Sequence, residues 1–232
     1  MHPTPLAALD GPTACLVRLS ARITAGSEEA VRTGFGECIA AGVPVQWMEE
    51  VVLQSYLFAG FPRALNAARE WRRATGNGVH APGSPGSPGS PGSPASPASP
   101  GVPATVGETY AAAFEWRLRG EETCAAVYGA SYEKLRANIT ALHPALDQWM
   151  IVEGYGKVLS RNGLDIGRRE LCIVAACAAA QQDRQLHSHL LGARNVGVPD
   201  AVVGAAIDAL GGAIPDAALA TARLLWQRVR GK

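Results

Sequence analysis

The sequence lacks a marked excess of charge of either sign. Its 21 lysines and arginines balance 20 aspartates and glutamates, so the formal net charge at pH 7 is +1. Binding to nucleic acid or to an anionic membrane surface relies on clustered positive charge, and neither partner is therefore expected. A long apolar run is also missing, because the longest spans only 171–180 and a bilayer requires about 20 residues.

The first residues lack the basic stretch followed by an apolar stretch that marks a secretory signal. On this basis we expect a cytoplasmic protein. A disulfide framework is not expected either, because the cysteines are odd in number, scattered, and set in apolar or alanine-rich sequence. Such cysteines are typical of reduced thiols in a protein core. They are Cys15, Cys38, Cys124, Cys172 and Cys177.

Strand-like patterns are missing as well. No segment convincingly combines alternating polarity with β-branched or aromatic residues, whereas alanine, leucine, glutamate and arginine dominate the periodic stretches. The sequence therefore predicts an all-α protein, and its 47% of hydrophobic residues suffice for a buried core. The predicted helices span roughly 13–25, 27–41, 45–57, 61–75, 107–119, 121–141, 144–160, 166–181, 183–196, 200–210 and 215–230.

One segment divides the chain. Every residue from Pro82 to Gly101 is proline, glycine, serine or alanine, and no large apolar side chain is present to offset the entropy of ordering. A disordered linker is predicted there. A collagen helix is excluded because the run is short and alanine replaces glycine at Ala95 and Ala98. The predicted parts are a helical half at 1–77, a linker at 78–104 and a second helical domain at 105–232.

The two helical parts contain a weak internal repeat, in which residues 37–71 align with 193–226. Two halves related in this way are expected to pack against each other. The alignment pairs Gly42 with Gly197, Pro44 with Pro199 and, after a small shift, Pro62 with Pro215.

Several motifs of the second half are similar to those of a known family. They are LSRNGLD at 159–165, RREL at 168–171 and HLLGARNVGV at 189–198, while AGFPRALNAA at 59–68 resembles the end of such a domain in the first half. Together they resemble the carboxymuconolactone decarboxylase family, whose helical fold is shared with the alkyl hydroperoxidase D proteins. The resemblance implies a small-molecule pocket between helices, a cofactor-free lyase reaction in aromatic degradation, and assembly into homo-oligomers such as trimers or hexamers.

The peroxidase branch of that family uses a glutamate, two cysteines in a C-x-x-C motif and a histidine. The matching residues here are Glu170, Gln182, Gln185 and His189, so both thiols are missing. Cys172 and Cys177 are no substitute, since five helical positions place them about 140° apart. A thiol peroxidase needs an attacking thiolate and a resolving partner, and this activity is therefore disfavoured.

The four polar residues still suit acid–base chemistry. Gln182, Gln185 and His189 follow i, i+3 and i+7 spacing and would share one helix face, next to Glu170 on the preceding helix. A carboxylate beside His189 would fix its tautomer and suit it to general acid catalysis. We take His189 as candidate proton donor, Glu170 as its orienter, and Gln182 and Gln185 as substrate-binding residues. Candidate binders of a substrate carboxylate are Arg161, Arg168 and Arg169.

The first copy of the repeat lacks these residues. Counting back from Gly42 places Cys15, Ser27, Ala30 and Gly34 where the second copy has its glutamate, two glutamines and histidine. Any chemistry is therefore expected in the second half.

Simpler roles stay open for the same residues. His189 is also typical of a structural histidine, Glu170 of a first-turn acid favoured by the helix dipole, and Arg161 of a cation at a helix end. Tyr155 and Trp149 are more typical of a protein core than of a pocket wall.

A metal site is not expected. His187 and His189 lie on nearly opposed faces of a helix, and no cysteine or carboxylate completes a set of ligands.

The sequence therefore leaves two candidate functions. The first is a decarboxylase-like enzyme that acts without cofactor on a small lactone or related carboxylic acid. The second is a non-catalytic helical module that binds a metabolite or serves assembly.

Overall fold

The computed structural model of the protein describes residues 7–76 and 106–231. These residues form helices joined by short turns, and no β-strand occurs among them, which confirms the all-α prediction. The predicted linker at 78–104 lies outside the described residues. None of the helices described here is long and apolar enough to cross a membrane.

Eleven α-helices make up the described parts. Before the predicted linker these are α1 (Gly11–Ala25), α2 (Glu28–Ala40), α3 (Val45–Gln54) and α4 (Tyr56–Ala74). After it come α5 (Val106–Tyr128), α6 (Tyr132–Leu142), α7 (Pro144–Trp149), α8 (Ile166–Ala179), α9 (Asp183–Asn195), α10 (Asp200–Asp208) and α11 (Asp216–Arg230). Helix α7 continues directly into a π-helical segment, Met150–Leu159.

The helices of the two halves begin at corresponding positions, as expected for a repeat. The residues before α1, α2 and α3 are each 155 positions from those before α8, α9 and α10. The first pair is chemically identical, because Asp10 and Asp165 each accept a hydrogen bond from the third backbone N–H that follows. The other two pairs are Ser27 with Gln182 and Pro44 with Pro199.

The two copies pack against each other through α1 and α8, as the repeat predicted. The Arg168 guanidinium donates to Thr13 Oγ1 over 2.9 Å and to Asp10 Oδ2 over 3.0 Å. Farther along, Ser20 Oγ donates to the carbonyl of Cys172 over 2.7 Å. Thr13 and Arg168 occupy equivalent places in the two copies and contact each other, which is the signature of an approximate two-fold relation. One continuous hydrophobic core includes side chains from both copies.

The π-helical segment lies unusually close to α5. A Cβ atom at Gly120 would overlap the carbonyl of Ile151, and one at Gly156 would overlap the carbonyl of Trp116. The sequence predicted a helix boundary at Gly120, and this prediction is wrong because the glycine lies inside α5. Its role is to let two helical backbones touch, and the contact fixes the segment that carries Tyr155.

Candidate active site

Glu170 and His189 form a buried pair between α8 and α9. His189 Nδ1 lies 2.8 Å from Glu170 Oε2, and the side chains are 6% and 0% exposed. The contact expected between these two residues is thus present. It brings a carboxylate and an imidazole together in an interior from which water is largely excluded, where a hydrogen bond to a charged group is strong.

Local sequence explains how the pair is formed. Helix α8 ends in a tight turn at Gln181, which has a φ of 55°, and the chain returns as α9 with Asp183 in its first turn. Gly192 then faces Glu170 from one turn beyond the histidine. A Cβ atom there would lie 2.6 Å from Glu170 Oε2 and 2.8 Å from Val127 Cγ1. A larger residue at this position would therefore displace the Glu170 carboxylate or Val127.

One oxygen of the pair is left without a partner. Glu170 Oε1 is buried and accepts no hydrogen bond from the described residues. Nearly every buried polar atom has a hydrogen-bond partner, and a bound molecule or a water would supply the missing donor to this oxygen. Because a carboxylate accepts at Oε2, the tautomer of His189 with the proton on Nδ1 follows, and Nε2 is left for a second partner.

Two aromatic side chains lie beside His189, and a third packs against one of them. The Phe58 ring stands nearly perpendicular to the His189 imidazole at 5.7 Å between centroids, and the Tyr128 ring lies 6.4 Å from it. Tyr155 in turn lies 6.3 Å from Tyr128. Burial raises the pKa of Tyr128 to about 12, and burial likewise raises the pKa of Tyr155. Both phenols are therefore neutral near pH 7 and can donate a proton in a hydrogen bond.

Of the two aromatic residues singled out in sequence, only one belongs to the interior. Tyr155 is buried beside Tyr128, as a core residue should be. The Trp149 side chain is 61% exposed, so its prediction as a core residue is wrong. Residues six positions apart lie about 120° apart around a helix, so Trp149 and Tyr155 do not share a face.

The arginines predicted to bind a substrate carboxylate are engaged elsewhere. Arg169 is fully buried and donates to Glu50 Oε2 over 2.8 Å, to Gln54 Oε1, and to two backbone carbonyls. Arg161 holds the other side of the same carboxylate, with three contacts of 3.0 to 3.1 Å to Glu50. Arg169 and Arg161 thus both join the two copies of the repeat, and their predicted role as substrate ligands stays a prediction.

Arg168 is committed in a similar way. It pairs with Asp165 over 2.7 Å and with Asp10 over 3.0 Å, and its guanidinium lies 4.2 Å from the centroid of the Trp47 ring. Three arginines that looked available in sequence thus serve the contact between the copies.

Comparison with known families now identifies the region that carries the pair. The family model for the carboxymuconolactone decarboxylase family matches residues 144–227. This region belongs to that family. The match contains Glu170 and His189, whereas Phe58 and Tyr128 lie outside it. A search of curated proteins found no match.

The two glutamines of the decarboxylase-family domain are placed at its surface. Gln182 precedes α9 and is exposed, with its side-chain amide 3.5 Å from the carbonyl of Ala180. Gln185 is exposed on the first turn of α9, one turn before His189. Neither hydrogen-bonds to the buried pair among the described residues. Their side chains are available to a ligand, and the predicted role in substrate binding stays a prediction.

The first copy of the repeat has closed the corresponding place. Gly34 occupies the position of the family domain's histidine, and the Arg22 side chain packs against it. Arg22 Nη1 lies 2.9 Å from Glu37 Oε2, and Arg18 donates to Cys15 Sγ over 3.1 Å. The space that holds a carboxylate and an imidazole in the second copy is thus bordered here by an ion pair.

The cysteines do not restore a thiol site in the decarboxylase-family domain. All of them lie in the described residues, and all are free and buried. Burial raises the pKa of Cys177 to about 12 and also raises the pKa of Cys172. A thiolate is the reactive form of cysteine, so thiols of this kind are unsuited to peroxide chemistry near neutral pH.

Sequence reasoning missed Phe58, Tyr128 and Gly192. The glycine had a visible signal, because it stands three positions after the histidine in a helix that otherwise has good helix formers. The two aromatic residues had none. They lie in other parts of the chain, and only the packing of α4, α5 and α9 brings them to His189.

Proposed function

We propose that this protein is a cofactor-free enzyme that decarboxylates a small lactone or a related carboxylic acid, with His189 as the proton donor. The observation that carries the proposal is the buried Glu170–His189 contact, in which Nδ1 is engaged and Nε2 makes no hydrogen bond to the described residues. A histidine held in this manner, in a domain of a decarboxylase family, suits transfer of a proton to carbon.

The proposed reaction begins with the substrate carboxylate and a protonated imidazole. The bond between the carboxylate carbon and the ring carbon breaks, carbon dioxide leaves, and the electron pair stays on the carbon skeleton. His189 Nε2 then gives its proton to that carbon, and solvent returns a proton to the imidazole. Glu170 stabilises the imidazolium through Oε2 and holds the ring in one orientation.

The exposed amides of Gln182 and Gln185 are proposed to bind the substrate carboxylate. Each amide offers two N–H donors, and both residues stand at the solvent side of the helix that carries His189. The glutamines are preferred to Arg169 and Arg168, whose guanidinium groups pair with Glu50 and with Asp10 and Asp165. Neutral donors bind a carboxylate less strongly than an arginine does, which favours its departure as carbon dioxide.

The test is turnover of γ-carboxymuconolactone, followed by release of carbon dioxide, in wild type and two histidine variants. His189→Ala should lower kcat by at least about 100-fold, the usual contribution of a general acid. His187→Ala provides the matched control, because that histidine is two positions away on the other face of α9. Equal rates in the two variants, or no turnover by folded wild type, would contradict the proposal.

A second candidate function, in assembly, is favoured by one observation. Leu142, Leu146 and Trp149 are 79%, 49% and 61% exposed along the end of α6 and α7, an apolar face uncommon on a solvent-facing helix pair. We propose that this face contributes to a homo-oligomer, trimeric or hexameric. Sedimentation of wild type and Trp149→Glu tests it, and a monomeric wild type contradicts it.

A further inference from the structure

The two copies of the repeat differ most informatively in the segment that directly follows their third helices, α3 and α10. In the first copy this segment reads SYLFAGFP at 55–62, and in the second it reads ALGGAIP at 209–215. The first contains three aromatic residues, and the second contains none. The copy without the acid–base residues thus has bulky rings where the copy with them has glycine, alanine and isoleucine.

The aromatic segment lies over the site of the other copy. Its Phe58 ring is the one that stands against the His189 imidazole at 5.7 Å and 84°. Its backbone is fixed by Gly60, where a φ of 80° interrupts α4 and turns the chain into Pro62. Tyr56 and Phe61 stack at 4.8 Å between centroids, which holds the two ends of the segment together.

Burial distinguishes the three rings. Phe61 is 65% exposed, whereas Phe58 and Tyr56 are half-buried. Phe58 therefore contacts the catalytic imidazole on one side and is still partly accessible, as the wall of a binding site should be. A ligand that approaches His189 meets this ring and that of Tyr128, and aromatic faces and edges pack best against flat conjugated groups.

We propose that Phe58, supplied by the first copy of the repeat, is a specificity-determining wall of the ligand site in the second copy and selects acids with a flat, conjugated ring. This inference rests on the proposed function, because it takes the Glu170–His189 pair as the place where the ligand binds. Each copy then contributes a different part of one site: the second holds the acid–base pair, and the first holds the ring that recognises the ligand.

The experiment compares two probe acids with the same number of carbon atoms, benzoate with its flat ring and cyclohexanecarboxylate with its saturated ring. Their dissociation constants are measured by calorimetric titration of the full chain. Wild type should prefer benzoate, and Phe58→Leu should reduce the ratio of the two constants by about three- to tenfold, the range expected for one aromatic contact. Phe58→Tyr should keep the preference, because it keeps the ring.

Phe114→Leu is the matched control, since it removes a 63% exposed ring of α5, outside the segment that carries Phe58. It should leave the ratio unchanged. A structural role for Phe58 would lower thermal stability and weaken both acids alike, and so would leave the ratio at its wild-type value. The proposal is overturned by an unchanged ratio in Phe58→Leu, by an equal loss in Phe114→Leu, or by wild type that binds neither acid or both equally.

The two proposals fail separately. Wild type that releases carbon dioxide from γ-carboxymuconolactone but binds the two probe acids equally would overturn the role of Phe58 alone. Wild type without turnover, in which Phe58→Leu still removes a preference for benzoate, would support the aromatic wall and overturn the decarboxylase reaction.

Discussion

Replacement of Gly192 by alanine is the sharpest test of how the acid–base pair is held. The new methyl group would lie 2.6 Å from Glu170 Oε2 and 2.8 Å from Val127 Cγ1, both closer than atoms can approach. Insertion of an atom into a packed interior costs about 1–3 kcal/mol. Alanine in a helix interior also stabilises by about 1 kcal/mol relative to glycine, which opposes that cost.

A second glycine removes this complication. Gly36 lies inside α2, and a Cβ atom there has no heavy atom within 4 Å, so Gly36→Ala should show the stabilising effect alone. Chemical unfolding of both variants should therefore give a difference of about 1–3 kcal/mol in the free energy of unfolding, with Gly192→Ala the less stable. The imidazole resonances of His189 should shift in Gly192→Ala only. Equal stabilities and an unperturbed imidazole would refute the close packing of Gly192 on Glu170.

Other predictions concern the contact between the copies and the thiols. Glu50→Ala leaves the buried guanidinium of Arg169 without its carboxylate. It should lower the free energy of unfolding, measured by urea titration, by about 3–5 kcal/mol. A change below about 1 kcal/mol would contradict the buried pair. Burial alone would raise the pKa of Glu50, but the hydrogen bonds from Arg161 and Arg169 lower it below the ordinary value of 4.5. The ionised Glu50 therefore stabilises the fold above pH 4.5, and this stabilisation is lost as the pH falls through the lower pKa that Glu50 has in the folded protein. Glu50→Gln should therefore unfold with a weaker acid dependence than wild type. An identical acid midpoint and slope would argue against the pair. Cys177→Ser and Cys172→Ser should leave turnover of γ-carboxymuconolactone unchanged in protein that folds, and loss of activity in either would assign the thiol a role in the reaction.

Features set by neighbouring residues could be predicted from the sequence. The helices α8 and α9 begin within one residue of the predicted positions, because Asp165 and the turn at 180–182 determine them locally. The Glu170–His189 contact followed from that geometry, since two consecutive helices joined by a short turn lie side by side.

Features set by distant residues could not be predicted. Arg161 and Arg169 have the appearance of free cations in sequence, and their partner Glu50 lies more than 100 positions earlier. Phe58 reaches His189 from the other copy of the repeat, and no spacing rule connects residues so far apart. A glycine such as Gly120 is typical both of a turn and of a close contact between two helices. Only the packing of the π-helical segment against α5 shows that it serves the contact.

The approximate two-fold contact between α1 and α8 has a consequence for how substitutions act. In a dimer of identical chains every substitution appears twice, and a residue near the axis must suit both of its environments. Here Thr13 and Arg168 stand at equivalent places and differ, so that one donates to the other over 2.9 Å. Because both copies lie in one polypeptide, each position can differ from its counterpart. Polar pairs of unlike residues became possible where a symmetric dimer would have placed threonine against threonine or arginine against arginine.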